Sequence, residues 1–441
     1  MSKRNLIWLA VIVVIALAFY RLAPMAAEQD SVLRTYAPLV EADALIRQRF
    51  VEPINDDRLV DGAIRGIMLK LDPYSGYISP DELDGFRRNA AGNYIGIGVQ
   101  LGVREGQLTV IAPIEQSPAL EAGVQAGDVI LAIDGTSTEG LSVVDVDRLL
   151  MGRPGTRVDL KVRHAASGEI ESLSITRGPV NIQSVKGFRR STADDWDYWI
   201  EPREHIGYIR VSNFHEDTAA EFDRALKRLR EGDVSGLVLD LRFNPGGSLT
   251  AAVSMADRFL DQGVIVSTVT RHKAVDQYEA RPEGTFPQVP MAVLINGHSA
   301  SASEIVAGAL QDHHRAVIVG ARSFGKGVVQ NVIELSEYRA AVKLTVAHYR
   351  LPEGRIIHKT PRNAHTDEWG VKPDLVVELT PEETEAVHTR RAEADRAPVR
   401  STTAPASTDA PPPADDQPHV LIDAQLRAAL AAVHEPPARA H

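Results

Sequence analysis

Between residues 206 and 319 short apolar runs alternate with segments of helical periodicity, and this alternation limits the fold more than any other feature of the chain. Strands are expected at 206–211, 237–241, 264–269, 291–295 and 316–319, with helices at 217–229, 249–260 and from about Ser303. That order predicts an α/β core, a mixed sheet with flanking helices and crossover connections. Functional groups are then expected where strands end and helices begin.

Two junctions carry unusual chemistry. The first is Asp240-Leu241-Arg242-Phe243-Asn244-Pro245-Gly246-Gly247-Ser248, in which a Gly pair can free backbone N–H groups for an anion. The second runs from Ile295 through Asn296-Gly297-His298-Ser299-Ala300-Ser301-Ala302-Ser303-Glu304 into a helix. Ser301 and Glu304 match the S-x-x-E capping box, so an N-cap is the plain reading of Ser301. The other is a nucleophile whose developing oxyanion faces helix N-terminal N–H groups. Gly297-His298-Ser299 opens like a nucleophile elbow, but Ser301 stands where the second glycine is required, so His298 is not read as its base. A lysine between glycines follows in Ser323-Phe324-Gly325-Lys326-Gly327. An extended segment there would point Lys326, Val328 and Gln330 to one side.

Upstream, from 91 to 178, short apolar runs separated by glycines predict a small β-rich module. Gly96-Ile97-Gly98-Val99 can present successive N–H groups to a chain-terminal carboxylate, and the strand beyond offers an edge to a peptide. The run from Ala122 to Ile130 resembles the turn-and-strand signature of PDZ domains, followed by a helical patch at 143–150. Residues 31–90 have helical spacing broken at Asp72-Pro73-Tyr74-Ser75-Gly76, and are read as a helical cap or dimerisation segment.

In order, these motifs resemble the C-terminal processing peptidases, or tail-specific proteases, over the chain from the early helices to about Leu379. The resemblance implies Ser301 as nucleophile, Lys326 as general base and Gln330 as the residue orienting the lysine. It also implies backbone oxyanion donors at Ala302 and Gly247, although Gly246 adjoins the latter, and substrate tails bound at Gly96 to Val99. The peptidase core is then 179–380 with the PDZ-like domain inserted before it. A lysine base must fall some three units from about 10.4 to accept a proton near neutrality, which burial can achieve. No cofactor or metal is implied, and Asp312-His313-His314 reads as a polar surface turn.

Composition bears on partners. A net charge of −11 and 5% aromatic residues argue against nucleic acid, and protein substrates with free, apolar C-termini are expected. A homo-oligomer or an adaptor stays open. Lys3 and Arg4 before the apolar run 6–20 predict an export signal and an extracytoplasmic location. Cleaved leader and retained membrane anchor both fit, and the lack of a clean A-x-A site around Met25-Ala26-Ala27 favours the anchor. Residues 397–419, rich in Pro, Ala, Ser and Thr, are expected to be disordered. Ile422, Leu426, Leu430 and Val433 then recur at helical spacing, compatible with a helix packed on the body or a marginal solvated one. Two further functions are compatible with these features: a PDZ scaffold that binds tails without cutting, and a hydrolase of small esters or amides.

Overall fold

The computed structural model describes residues 34–435 except 92, 105, 115–116, 126, 142, 166, 193–194, 273–274 and 396–421. The expected export signal and the Pro-rich linker lie outside the described residues. The chain divides into two units, before and after Lys70.

Among the described residues, the first unit contains two helices, 34–49 and Asp56–Met68. Asn55 caps the second by accepting the Arg58 N–H, and Asp56 and Asp57 place negative charge in its first turn, where the helix dipole favours it.

The second unit opens with Asp72, whose carboxylate accepts the N–H groups of Tyr74 and Ser75 at 2.7 and 2.8 Å. This is the sequence-predicted break. Beyond it Gly76–Ile78 is extended and pairs antiparallel with Ala341–Lys343. The helical expectation for 31–90 therefore fails at that point, because Tyr77 and Ile78 are buried in a sheet of the body.

The β-rich module follows the expected texture. In Arg157–Arg163, Val158, Leu160 and Val162 alternate with exposed residues, and they pack on Ile130, Ile133, Val146 and Leu150 in a separate core. Val99–Arg104 is the edge strand of its six-stranded sheet, and the helix Val143–Leu150 accompanies it.

The peptidase-like body is built on parallel strands Ile206–Val211, Gly236–Asp240, Met291–Ile295, Val317–Gly320 and Leu375–Val376, adjacent in that order. The first three are buried throughout, which explains their continuous apolar runs. Helices Thr218–Glu231, Leu249–Asp257 and Ala302–Asp312 cover one face. The other face is covered by the helix Ala424–His434, where Leu426, Ala429, Leu430 and Val433 meet Val238, Ala292, Leu294 and Val319. This decides between the two sequence readings of the terminal helix: it packs on the body. Burial of Leu426, Leu430 and Val433 contributes about 1.5–3 kcal/mol each. His434 also bonds Glu201 at 2.7 Å and Glu204 at 3.1 Å.

Val264–Thr270 does not join the parallel layer. It pairs antiparallel with Val275–Glu279 and Ala340–Arg350 in a second sheet, because it has antiparallel partners on both sides.

Candidate active site

The two junctions singled out from sequence meet at the C-terminal ends of Gly236–Asp240 and Met291–Ile295, which are neighbours in the sheet. Asn244, fully buried, staples them. Its Nδ2 donates to Val211 O at 2.9 Å, its Oδ1 accepts the Gly246 N–H at 2.9 Å, and its carbonyl accepts from Ala300 N at 3.0 Å and Ser303 Oγ at 2.9 Å.

The three serines of the second junction separate by partner. Ser299 Oγ donates to Leu241 O at 2.9 Å and accepts from Asn296 N at 3.0 Å. Ser303 Oγ is committed to Asn244 O. Both are structural hydroxyls, fully buried. Ser301 caps the helix with φ 55° and ψ −112°, a strained conformation for a residue with a Cβ that costs on the order of 1–3 kcal/mol. Burial pushes the pKa of the buried Tyr349 phenol up to about 12, and the nearby Ser301 opposes the shift.

Gly246 and Gly247, at φ 99° and 141°, bring the first junction against this turn. A Cβ on Gly246 would lie 2.8 Å from Ser301 Cβ and 2.9 Å from Ala302 N. Gly246 N is taken by Asn244, whereas among the described residues no hydrogen bond uses the N–H of Gly247 or Ala302. The donors singled out from sequence are therefore the unoccupied ones.

Lys326 is carried on a loop held by the flanking glycines. A Cβ on Gly325 would lie 2.8 Å from Lys359 Cβ, and one on Gly327 2.5 Å from His358 N, so only glycine fits at either place. Burial lowers the Lys326 pKa, Lys343 lowers it further and Glu304 opposes both. Its Nζ faces the Tyr74 ring, 5.3 Å from the centroid, and among the described residues it makes no hydrogen bond to Ser301. Gln330 does not engage Lys326 here. The hairpin register steps from Val329↔Ala347 to Gln330↔Thr345, and Gln330 Nε2 lies 3.3 Å from Val328 O and 3.4 Å from Thr345 Oγ1. The orienting contact implied by the resemblance is absent from this arrangement, because that bulge turns Gln330 to Thr345. Asp312 and His313 are committed elsewhere, to Arg355 at 2.6 Å and Val264 O at 2.7 Å.

Sequence reasoning missed several neighbours. Glu304, read only as a cap, accepts from Ser301 N (2.7 Å), Lys326 N (2.8 Å), Gly325 N (2.7 Å) and Ser323 Oγ (2.6 Å). Asp240 pairs with Arg242 at 2.8 Å and with Arg391. Burial would raise the Asp240 pKa, but the two guanidinium groups outweigh it and hold the carboxyl well below its usual range. Arg242 also reaches Asp423 at 2.9 Å and Gln425 at 3.0 Å, fixing the terminal helix to the glycine junction. Thr384, Glu385 and His388 of the helix Pro381–Ala394 join Tyr74, Phe243 and Lys326 around a cleft of about 570 Å³. His298 stacks on Phe243, 5.6 Å between centroids, and forms part of the cleft wall.

Comparison with known proteins agrees with this layout. Residues 205–377 match peptidase family S41, 109–164 a PDZ domain, and 21–82 the N-terminal domain of the activating protease CtpB. The carboxy-terminal-processing protease of Bartonella bacilliformis is 37% identical, over 76% of this chain and 73% of that protein. The carboxyl-terminal-processing protease of a Synechocystis strain is 36% identical, over 76% and 75%. The carboxy-terminal processing protease CtpA of Bacillus subtilis is 34% identical, over 76% and 67%. The chain belongs to the carboxy-terminal processing proteases of peptidase family S41. It is thus a serine protease with a PDZ domain.

In this S41 protease the PDZ loop precedes the edge strand Val99–Arg104. The carbonyls of Ile97 and Gly98 are engaged, by Ala119 N at 2.8 Å, and by Ile114 N at 2.9 Å and Ser117 Oγ at 3.0 Å. No hydrogen bond among the described residues uses the N–H of Ile97 or Gly98. Gly98 has φ 78°, and a Cβ there would fall 2.3 Å from Ser117 Cβ.

Proposed function

We propose that this protease is an endopeptidase that takes protein substrates by their free C-termini and cleaves them with Ser301 as nucleophile and Lys326 as general base. The observation that carries the reading is the partition of the three serines: Ser299 and Ser303 are bound to carbonyls, and Ser301 stands strained beside two unused N–H donors. In the reaction, neutral Lys326 Nζ takes the Ser301 proton as Oγ attacks the peptide carbonyl. The N–H groups of Gly247 and Ala302 donate to the resulting oxyanion. The ammonium returns its proton to the leaving amine, leaving an acyl-serine. Water, deprotonated by the same lysine, then attacks the ester and restores the hydroxyl. The lowered Lys326 pKa supports the base role, and no step requires a metal. Catalysis requires Lys326 to turn from the Tyr74 ring toward Ser301, a movement in which Gln330 would guide it.

The edge strand Val99–Arg104 and the open N–H groups of Ile97 and Gly98 support tail binding, the carboxylate lying over Gly96 to Val99. The apolar run 6–20 supports export and retention at a membrane. Comparing kcat and KM for one substrate with a free and with an amidated C-terminus, in wild-type enzyme and in Ser301→Ala, tests both halves. Turnover by Ser301→Ala removes the chemistry, and indifference to amidation removes tail recognition.

A further inference from the structure

We infer that Glu304 is a positioning residue that ties the nucleophile turn and the base loop into one unit through a single ionised carboxylate. The inference rests on the Ser301/Lys326 reading above. A helix cap needs only the bond from Ser301 N to Glu304 Oε2, at 2.7 Å. Three more donors come from a loop at least 19 residues further along: Lys326 N at 2.8 Å on the same oxygen, with Gly325 N at 2.7 Å and Ser323 Oγ at 2.6 Å on Oε1. Glu304 is completely buried. Each carboxylate oxygen thus accepts two hydrogens, which fills its acceptor positions and leaves no place for a proton. Burial pushes the carboxyl pKa up, and the four donors pull against it. A glutamine of the same shape would turn an NH2 group on two of the donors, leaving buried N–H or O–H groups without acceptors.

The arrangement also sets the field at the base. Lys326 is faced by Glu304 and Lys343, and Glu304 also acts on Tyr74. The carboxylate favours the ammonium form while Lys343 disfavours it, so Glu304 raises the basicity of the amine whose backbone N–H it holds. Removing its charge therefore has two effects: geometry loosens, and the lysine loses its proton at lower pH. A residue that only filled space would produce the first effect without the second.

The test uses the full chain and a fluorophosphonate probe, with phosphonylation of Ser301, in which Oγ displaces fluoride from phosphorus, followed by mass spectrometry between pH 6 and 10. For Glu304→Gln, phosphonylation should slow by about 100-fold, with the ascending limb of the residual rate displaced downward and KM for peptide within threefold. Ser323→Ala removes one donor and keeps the charge. It should slow phosphonylation about tenfold with the limb unmoved. A folded Glu304→Gln protein phosphonylated at the wild-type rate, or slowed with an unmoved limb, overturns the inference. Should Glu304→Gln fail to fold, Ser323→Ala decides: a wild-type rate overturns the inference and a tenfold loss supports it. If the wild-type chain, active on peptide, is not labelled at Ser301, the Ser/Lys reading falls and this inference with it. Labelled wild type with an indifferent Glu304→Gln removes this inference alone.

Discussion

Among the described residues, the serine turn and the PDZ loop both leave a pair of backbone N–H groups without acceptors, but they do so by opposite means. At the serine turn the surrounding polar groups are saturated by side chains. Asn244 takes the Gly246 N–H and Glu304 takes the Ser301 N–H, so Gly247 and Ala302 point their donors into a fixed space. At the PDZ loop the carbonyls are pinned, one Gly adopts φ 78°, and an edge strand lies open beside the free donors. Transition-state charge stabilisation, the role proposed for the serine turn, requires donors that do not reorganise, and a buried carboxylate and a buried amide hold the turn. Peptide capture, the role proposed for the PDZ loop, requires an accessible edge, and the loop has one. The chemical step should accordingly be intolerant of substitution and tail binding graded.

The largest expected effect is at the dyad. Ser301→Ala and Lys326→Arg should each lower kcat by about 10⁴-fold or more, since guanidinium cannot serve as base. Circular dichroism should remain that of wild type. In the wild-type enzyme, activity should rise with pH through an apparent pKa below the free lysine value, because only the neutral amine takes the proton and burial lowers its pKa. Substantial turnover by Lys326→Arg would erase the distinction between the two regions.

Next comes the buried ion cluster. Arg391→Ala leaves Asp240 with one guanidinium in place of two and should lower stability by about 3 kcal/mol, read from denaturant unfolding. The Asp240 pKa is depressed in the folded protein, so its contribution is present above the ordinary Asp value and is lost as pH falls through the folded value. The Arg391→Ala penalty should therefore shrink at the acid end of the stability curve.

A graded effect is expected at the PDZ loop. Gly98→Val forces a β-branched residue to φ 78° and against Ser117. For substrates with a free tail KM should rise about tenfold, with turnover of a short tail-less peptide unchanged. An equal loss on both would mean that the two regions are not separable.

The smallest effect concerns His164, which bridges Asp128 at 3.0 Å and Glu171 at 2.9 Å. The bond to Glu171 raises its pKa, burial opposes, and Asp128 adds to the rise. A raised folded value means that the stabilisation is complete below the unfolded pKa and disappears as pH rises through the folded one. Hydrogen exchange in the hairpin 157–176 should be faster at pH 8.5 than at pH 6, corrected for intrinsic rates, by no more than about fivefold, and His164→Gln should flatten the difference.

What the sequence made legible follows from what is local. The parallel strands could be read because burial on both faces gives continuous apolar runs, and Met291–Ile295 and Ile206–Val211 have the expected bounds. The Gly-flanked lysine stood out, although the reason for its glycines, contact with Lys359 and His358, is a tertiary one. Glu304 was visible only as a cap because its other partners come from a distant loop. The Asp240–Arg242 pair ending an apolar strand was a usable signal, whereas Arg391, Asp423 and Gln425 are brought to it only by the fold. Val264–Thr270 was legible as a strand but its sheet was not, because nothing local distinguishes an antiparallel partner from a parallel one.

The central claim is most directly tested by trapping the covalent intermediate: acid quench of the enzyme during turnover of a tailed substrate, followed by peptide mapping. The account predicts one acyl adduct, on Ser301, absent from Lys326→Arg. An adduct on Ser299 or Ser303, or one formed at the wild-type rate in Lys326→Arg, would contradict it.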